Sequence, residues 1–365
     1  MKKSNQRNAY IPLVLWVTLP VFAFCAVCYL VAIYNPHAAD LLNDTVGTAL
    51  RLLLARLWGW LPFSLFELIL IFIVPLAVIF IIYLLRTKSG RIARIKSLIS
   101  LLCVILLLLS SYVFTLGVGY RTTPLAEKIG IEDVKNIGRD ELFSVTEALI
   151  AEVNSLADGL SRDNGQTVMP YTLSELCERL SVSFVTVRDI YGIPDGYSGG
   201  VKPVLFSTVM SDAGITGIYS FFTGEANVNV EYPHYTLPFT AAHEMAHQRG
   251  VARENEANFV AFLVCINSDD AYIKYSGYLG MLEYFLSAAY ATDREAYPSL
   301  FEKISPVAVS DIRAASAVTQ AHKDSLLGKI NDRLNDNYLK FNGTEGVVSY
   351  GYAVRLAVGY YRTHN

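Results

Sequence analysis

T-A-A-H-E-M-A-H-Q-R-G-V-A-R-E-N-E-A-N-F-V-A-F-L, residues 240–263, sets two histidines around a glutamate and follows them with further acids and amides. On a helix His243 and His247, four apart, project from one face one turn apart, where two imidazole nitrogens reach a single metal ion. Zn²⁺ suits such a pair, because a catalytic zinc site takes three protein ligands and keeps one position open. Glu244 stands beside the first ligand, in position to act as a general base toward water whose pKa the ion lowers to about 7. The third ligand should follow a turn. Gly250 supplies it, since glycine takes positive φ without strain. A second helix then starts near Arg253 with Glu254 in its first turn. Asn258, one turn further, is placed to orient a ligand. Glu256 is the rival; its neighbour one turn on is Val260, a less polar face, so Glu254 is favoured.

Working outward, the chain divides by composition. Of 365 residues 53% are hydrophobic, and the mean hydropathy is +0.34, too apolar for one soluble domain. The excess lies before residue 119. Residues 10–34, 63–85 and 95–118 are each long enough to cross a bilayer. Glu67, near the start of the second span, reads as an interfacial residue, and Pro20 and Pro75 are tolerable within spans. Residues 40–61 carry Leu42, Val46, Leu50, Leu53, Leu54 and Leu57 at helical spacing, with Asp44, Arg51 and Arg56 off that stripe and Trp58 and Trp60 at one end. This predicts a helix lying in the outer membrane interface, with a fourth, short or re-entrant span as the competing reading.

Lys2, Lys3 and Arg7 precede the first span, and Arg86, Lys88, Arg91, Arg94 and Lys96 fill the acid-free connection between the second and third. The positive-inside rule makes both segments cytoplasmic, so residues 120–365 form an extracytoplasmic domain after a membrane region of residues 1–119. The net charge of −3 gives no basic field, which excludes nucleic acid as a partner. The lipid bilayer and a peptide or protein substrate are the expected partners.

The domain reads as helix-rich α+β with one small sheet just before the motif, from V-K-P-V-L-F-S-T-V-M, I-T-G-I-Y-S-F-F and A-N-V-N-V. Residues 220–229, S-F-F-T-G-E-A-N-V-N, read either as an edge strand that pairs with extended substrate or as a strand that merely covers the core. Tyr350 and His234 are the candidates for stabilising an oxyanion. His37, His322 and His364 have no partner at ligand spacing and read as surface residues. Cys177 and Cys265 could pair, but Cys265 lies in an apolar helical run where a buried thiol is expected.

The runs G-E-A-N-V-N, A-A-H-E-M-A-H-Q-R-G and A-R-E-N-E-A-N-F resemble the signature of an uncharacterised family of bacterial membrane proteins, a domain of unknown function with a zinc-metallopeptidase signature. The resemblance covers nearly the whole chain. More distantly, H-E-x-x-H followed by E-x-x-A-N is similar to the gluzincins, among them membrane-bound peptidases. It implies a zincin-like fold, Zn²⁺ on His243, His247 and Glu254, Glu244 as base, and a supporting role for Asn258 where those families have aspartate. The interval from His247 to Glu254 is shorter than gluzincins show, and in the metzincin layout a third histidine would fall at Arg253. The expected function is a membrane-anchored zinc peptidase. The alternative is a metallopeptidase-like receptor or sensor that binds a peptide or cell-envelope ligand with little or no turnover.

Overall fold

The computed structural model describes residues 13–86, 90–132, 134–194, 196, 199–344 and 351–364. Three helices are long and apolar enough to cross a membrane. The first, Leu13–Tyr34, packs along the third, Gly90–Tyr112, and none of the described residues of the second, Leu65–Arg86, is buried. Apolar side chains exposed on every face of a helix fit a lipid surround. The third span runs on without a break through a π turn, Val113–Gly117, and a 3-10 turn, Val118–Arg121, and so delivers the chain directly into the globular part.

Residues 36–58 are helical, but in two pieces, Pro36–Leu42 and Thr48–Trp58, joined by a π turn at Asn43–Gly47. The leucine-rich stripe is divided: Val46, Leu53 and Leu57 are exposed, whereas Leu42 and Leu50 pack against the cluster of Cys25, Ala32, Val113 and Phe114. The inward face is Asn43, Gly47, Arg51 and Ala55, four residues apart and all buried. Arg51, off the leucine stripe as expected, is the cation of this inward face. Its guanidinium donates to Asn43 Oδ1 at 3.0 Å, Asn43 O at 2.9 Å and Phe114 O at 3.2 Å. The physical reason is that π turns at Asn43–Gly47 and Val113–Gly117 leave carbonyls outside the regular ladder, and arginine's five donors can collect them.

Glu67, in the first turn of the second span, is tied to the globular part. Both its oxygens accept from the globular part, from Leu205 N at 3.0 Å and Phe206 N at 2.7 Å. Glu225 does the reverse, accepting from Leu65 N and Phe66 N at the start of the second span while pairing with Lys202 Nζ at 2.7 Å. Lys202 also donates to Trp58 O and Phe63 O. A carboxylate is well placed against the unpaired N–H groups of a helix start.

The globular part is helix-rich around one core, to which the helices Arg139–Ala157, Leu173–Tyr191, Leu237–Gln248, Glu254–Ile266, Ala271–Thr292 and Tyr352–His364 all contribute. Two strands, β1 (Arg162–Asp163) and β2 (Gln166–Thr167), make a small hairpin. Three more form the sheet expected before the motif: β3 (Val201–Pro203), β4 (Gly217–Tyr219) and β5 (Ala226–Val228), in the order β3-β5-β4. β5 runs parallel to β3 and antiparallel to β4, with Ile218 opposite Asn227. Residues 226–228 are thus the buried centre of the sheet and not its edge; the edges are β3 and β4. Local alternation cannot distinguish the two, because the central place is set by β3, which arrives from 25 residues earlier in the chain. All five cysteines are free, and Cys177 Sγ accepts from Val201 N.

Candidate metal centre

The helix Leu237–Gln248 is almost wholly buried, and its neighbour Glu254–Ile266 is buried from Glu256 to Cys265. Between them Gly250 takes φ +92°, the left-handed conformation that reverses the chain in a few residues. A Cβ here would run into the Arg51 guanidinium and meet Asn43 Nδ2 at 2.9 Å, and Asn43 donates to Gly250 O at 3.3 Å. The turn that orients both helices therefore rests on the π turn near the membrane. Arg253 fixes the second helix from the other side, donating to Tyr120 O at 3.1 Å, to Thr122 O and to Glu256 Oε1.

His243, His247 and Glu254 come together. Their ligand atoms all lie within 4.8 Å of one another. The separations are 3.0 Å between the two Nε2 atoms, 3.2 Å from His243 Nε2 to Glu254 Oε2 and 3.7 Å from His247 Nε2 to Glu254 Oε1. A tetrahedral ion with bonds of about 2.0–2.1 Å holds its ligand atoms about 3.3 Å apart, so the residues present fit zinc. His247 Nδ1 is bonded to Val251 O at 2.7 Å, which fixes the ring with Nε2 toward the other two groups. Glu256 is elsewhere, accepting from Leu125 N at 2.8 Å and from Arg253.

The electrostatics follow from this crowding. Burial disfavours a charged His247, but Glu254, with Glu244 adding to it, overrides burial and raises the imidazolium to about 9. Glu254 is buried as well, yet His247 and His243 hold its carboxyl far below the usual range. The cluster keeps a proton among its members, and a divalent cation binding there would release it. Glu244 differs: burial pushes it up to about 7 against the pull of both histidines, and its Oε2 is buried without a partner.

Directly over Glu244 passes β4. A Cβ at Gly217 would stand 2.5 Å from Glu244 Oε1 and 2.8 Å from Thr240 Cγ2, so only glycine lets the strand come this close. The strand and the two helices wall a cleft of about 810 Å³ that also takes in Leu116, Tyr120, Leu334 and Tyr338. Tyr219 Oη and Asn258 Nδ2, both in its lining, are buried without partners. Burial pushes the Tyr219 phenol up to about 12, with Arg51 drawing it down.

A model of the family described as a protein of unknown function (DUF3810) matches residues 45–358. The chain belongs to that family. The DUF3810 match begins inside the π turn at Asn43–Gly47, so the family unit joins the second and third spans to the sheet and to both motif helices. No curated protein and no solved structure matches the chain.

Other expectations fall out differently. Asn258 lines the cleft, but the group that orients His247 is the Val251 carbonyl. His234 is outside the cleft lining: its Nδ1 accepts from Met169 N and its carbonyl from Tyr272 Oη. Tyr350 lies outside the described residues. His322, expected at the surface with no partner at ligand spacing, is half-buried and bonds Asp212 Oδ1 at 2.8 Å and Glu231 Oε1 at 3.4 Å. Gly217 and Tyr219 went unread as site residues, although the strand I-T-G-I-Y that holds them was recognised. Their signal is a glycine inside a strand two residues from a tyrosine, which acquires meaning only once Glu244 is known to lie beneath it.

Proposed function

We propose that this DUF3810 protein is a membrane-anchored zinc peptidase whose globular part, a zincin-like domain, works outside the cytoplasmic membrane. The observation that carries the reading is the convergence of His243, His247 and Glu254 to tetrahedral spacing beside a buried, unpartnered carboxyl oxygen of Glu244. The basic, acid-free connection between the second and third spans supports the orientation.

A bound zinc ion supplies Lewis acidity at the floor of the cleft. The chain supplies the rest. Glu244, buried beside the three ligand groups with Oε2 unpartnered among the described residues, is placed to take a proton from water and return it to the leaving amine. The outer edge of β4 pairs with no other strand among the described residues and lines the cleft, so it offers main-chain groups to an extended peptide. Tyr219 Oη and Asn258 Nδ2 are donors available to negative charge developing on the substrate carbonyl.

The test is metal analysis and casein hydrolysis on the full chain in detergent. One equivalent of zinc in the unsubstituted chain, retained by Glu244→Gln with loss of hydrolysis, is the expected result. No transition metal after zinc loading sinks the reading. Zinc without hydrolysis in the unsubstituted chain moves the assignment to the receptor alternative.

A further inference from the structure

The helix Leu326–Phe341 carries an apolar face that no described residue of the globular part covers. Leu326 is 71% exposed, Ile330 46%, Leu334 63% and Phe341 71%, with Leu327 beside them. At helical periodicity these five fall within about 100° of one another on the circumference. Lys329, Arg333 and Lys340 follow one border of that stripe, while Asn331, Asn335 and Tyr338 follow the other and line the cleft. Exposed leucines bordered by basic residues whose stems can reach toward headgroups are the composition of a helix lying in a membrane surface.

Both ends of this helix are tied to the level at which the spans meet the globular part. At its C-terminal end Tyr112, the last residue of the third span, donates to Asn342 Oδ1 at 2.5 Å, Arg121 donates to Phe341 O, and Tyr338 packs edge-on against Tyr112 and Tyr120. At its other end Asn331 donates to Ala213 O, just past the short helix Ser207–Asp212. That short helix begins beside Leu205 and Phe206, whose amides sit on Glu67 in the first turn of the second span. Leu205, Phe206 and Val209 are themselves exposed. Apolar side chains from this helix and from residues 205–209 thus continue the surface already presented by the span ends.

We propose that Leu326–Phe341 lies in the bilayer surface as a second interfacial helix, its basic border on anionic headgroups. The cleft mouth would then open at the membrane and admit peptide segments tethered to it. The part concerning substrate rests on the peptidase reading; the part concerning lipid does not. The helix forms one wall of the cleft, beside Leu116 and Tyr120 at the end of the third span. A tethered substrate moves in the plane in which this wall lies, whereas a free peptide must find the mouth from bulk water.

The experiment uses the full chain in nanodiscs of phosphatidylcholine and phosphatidylglycerol, with Ile330→Cys carrying a nitroxide. The native cysteines are buried or half-buried, and the unsubstituted chain supplies the background. The label should collide several-fold more with oxygen than with a water-soluble nickel chelate, relative to Glu295→Cys in an exposed turn. Equal ratios at the two positions overturn the proposal, as does dipolar broadening that reveals a second copy on this face. A second arm compares casein with an acylated peptide held on vesicles. Leu326→Asn/Ile330→Asn should keep its zinc and its casein hydrolysis and lose several-fold on the acylated peptide; equal loss on both overturns the substrate clause. If the unsubstituted chain hydrolyses neither, the peptidase reading fails and takes the substrate clause with it, while the depth result stands.

Discussion

At the scale of single residues, Glu244 and Gly217 depend on each other. Any side chain at 217 must push either β4 or the Glu244 carboxylate, because its first carbon already stands 2.5 Å from Oε1. Gly217→Val should therefore retain zinc and lose activity together with Glu244→Gln, each by on the order of 10²–10⁴-fold, the range over which general base catalysis acts. The same peptide assay reads both. The ligand assignment separates the two acids: Glu254→Gln should weaken zinc binding by orders of magnitude, and Glu256→Gln should leave stoichiometry intact while loosening Leu125 N and Arg253. Isothermal titration with zinc distinguishes them, and the reverse order would refute the assignment. The approach of His243 and His247 was legible because helical spacing alone puts the two on one face. Tyr219 and Asn258 were not legible in the same way, since a donor without a partner is visible only once its surroundings are known.

At the scale of elements, the turn at Gly250 carries the most. Left-handed backbone costs a non-glycine residue roughly 1–2 kcal/mol. The clash with Arg51 adds to that, so Gly250→Ala should lower thermal stability and zinc affinity together. A melting curve with and without zinc measures both, and an unchanged melting temperature would contradict the argument. A second element contact depends on pH. His322 ties the end of the helix Pro306–His322 to Asp212 and Glu231, and its hydrogen bond to Asp212, with Glu231 adding charge, raises its pKa above the ordinary histidine value. A raised folded pKa means stabilisation that is complete below the unfolded value and fades as pH rises through the folded one. His322→Gln should accordingly lose stability relative to the unsubstituted chain at mildly acidic pH and match it more closely at alkaline pH, as denaturant titrations at two pH values would read. The spans and motif helices were legible at this scale because their periodicity is local. The place of β5 was not, being decided by a parallel partner far away in the chain. Nor was the inward turn of Arg51, which depends on two π turns that no side-chain pattern announces.

At the scale of the whole molecule, the expected division at residue 119 is crossed by hydrogen bonds in both directions. Glu67 holds Leu205 and Phe206, Glu225 holds Leu65 and Phe66, Ser111 and Thr115 donate to Phe221 O, and Asn43 holds Gly250. Residues 120–365 expressed alone would leave the Lys202–Glu225 pair facing water and the Gly250 turn without its support. That fragment should melt at lower temperature than the full chain and bind zinc more weakly; equal values for the two would show that the contacts contribute little.

Reciprocal carboxylate grips of this kind also set a length. A catalytic unit on a flexible stalk samples many heights above the membrane, whereas one clasped to the start of the second span at both Glu67 and Glu225 has a single height. On the peptidase reading proposed above, the molecule acts as a ruler. Tethered peptides of unrelated sequence would be trimmed to stubs of one common length, set by the rise from the bilayer to Glu244 and not by the residues flanking the cut.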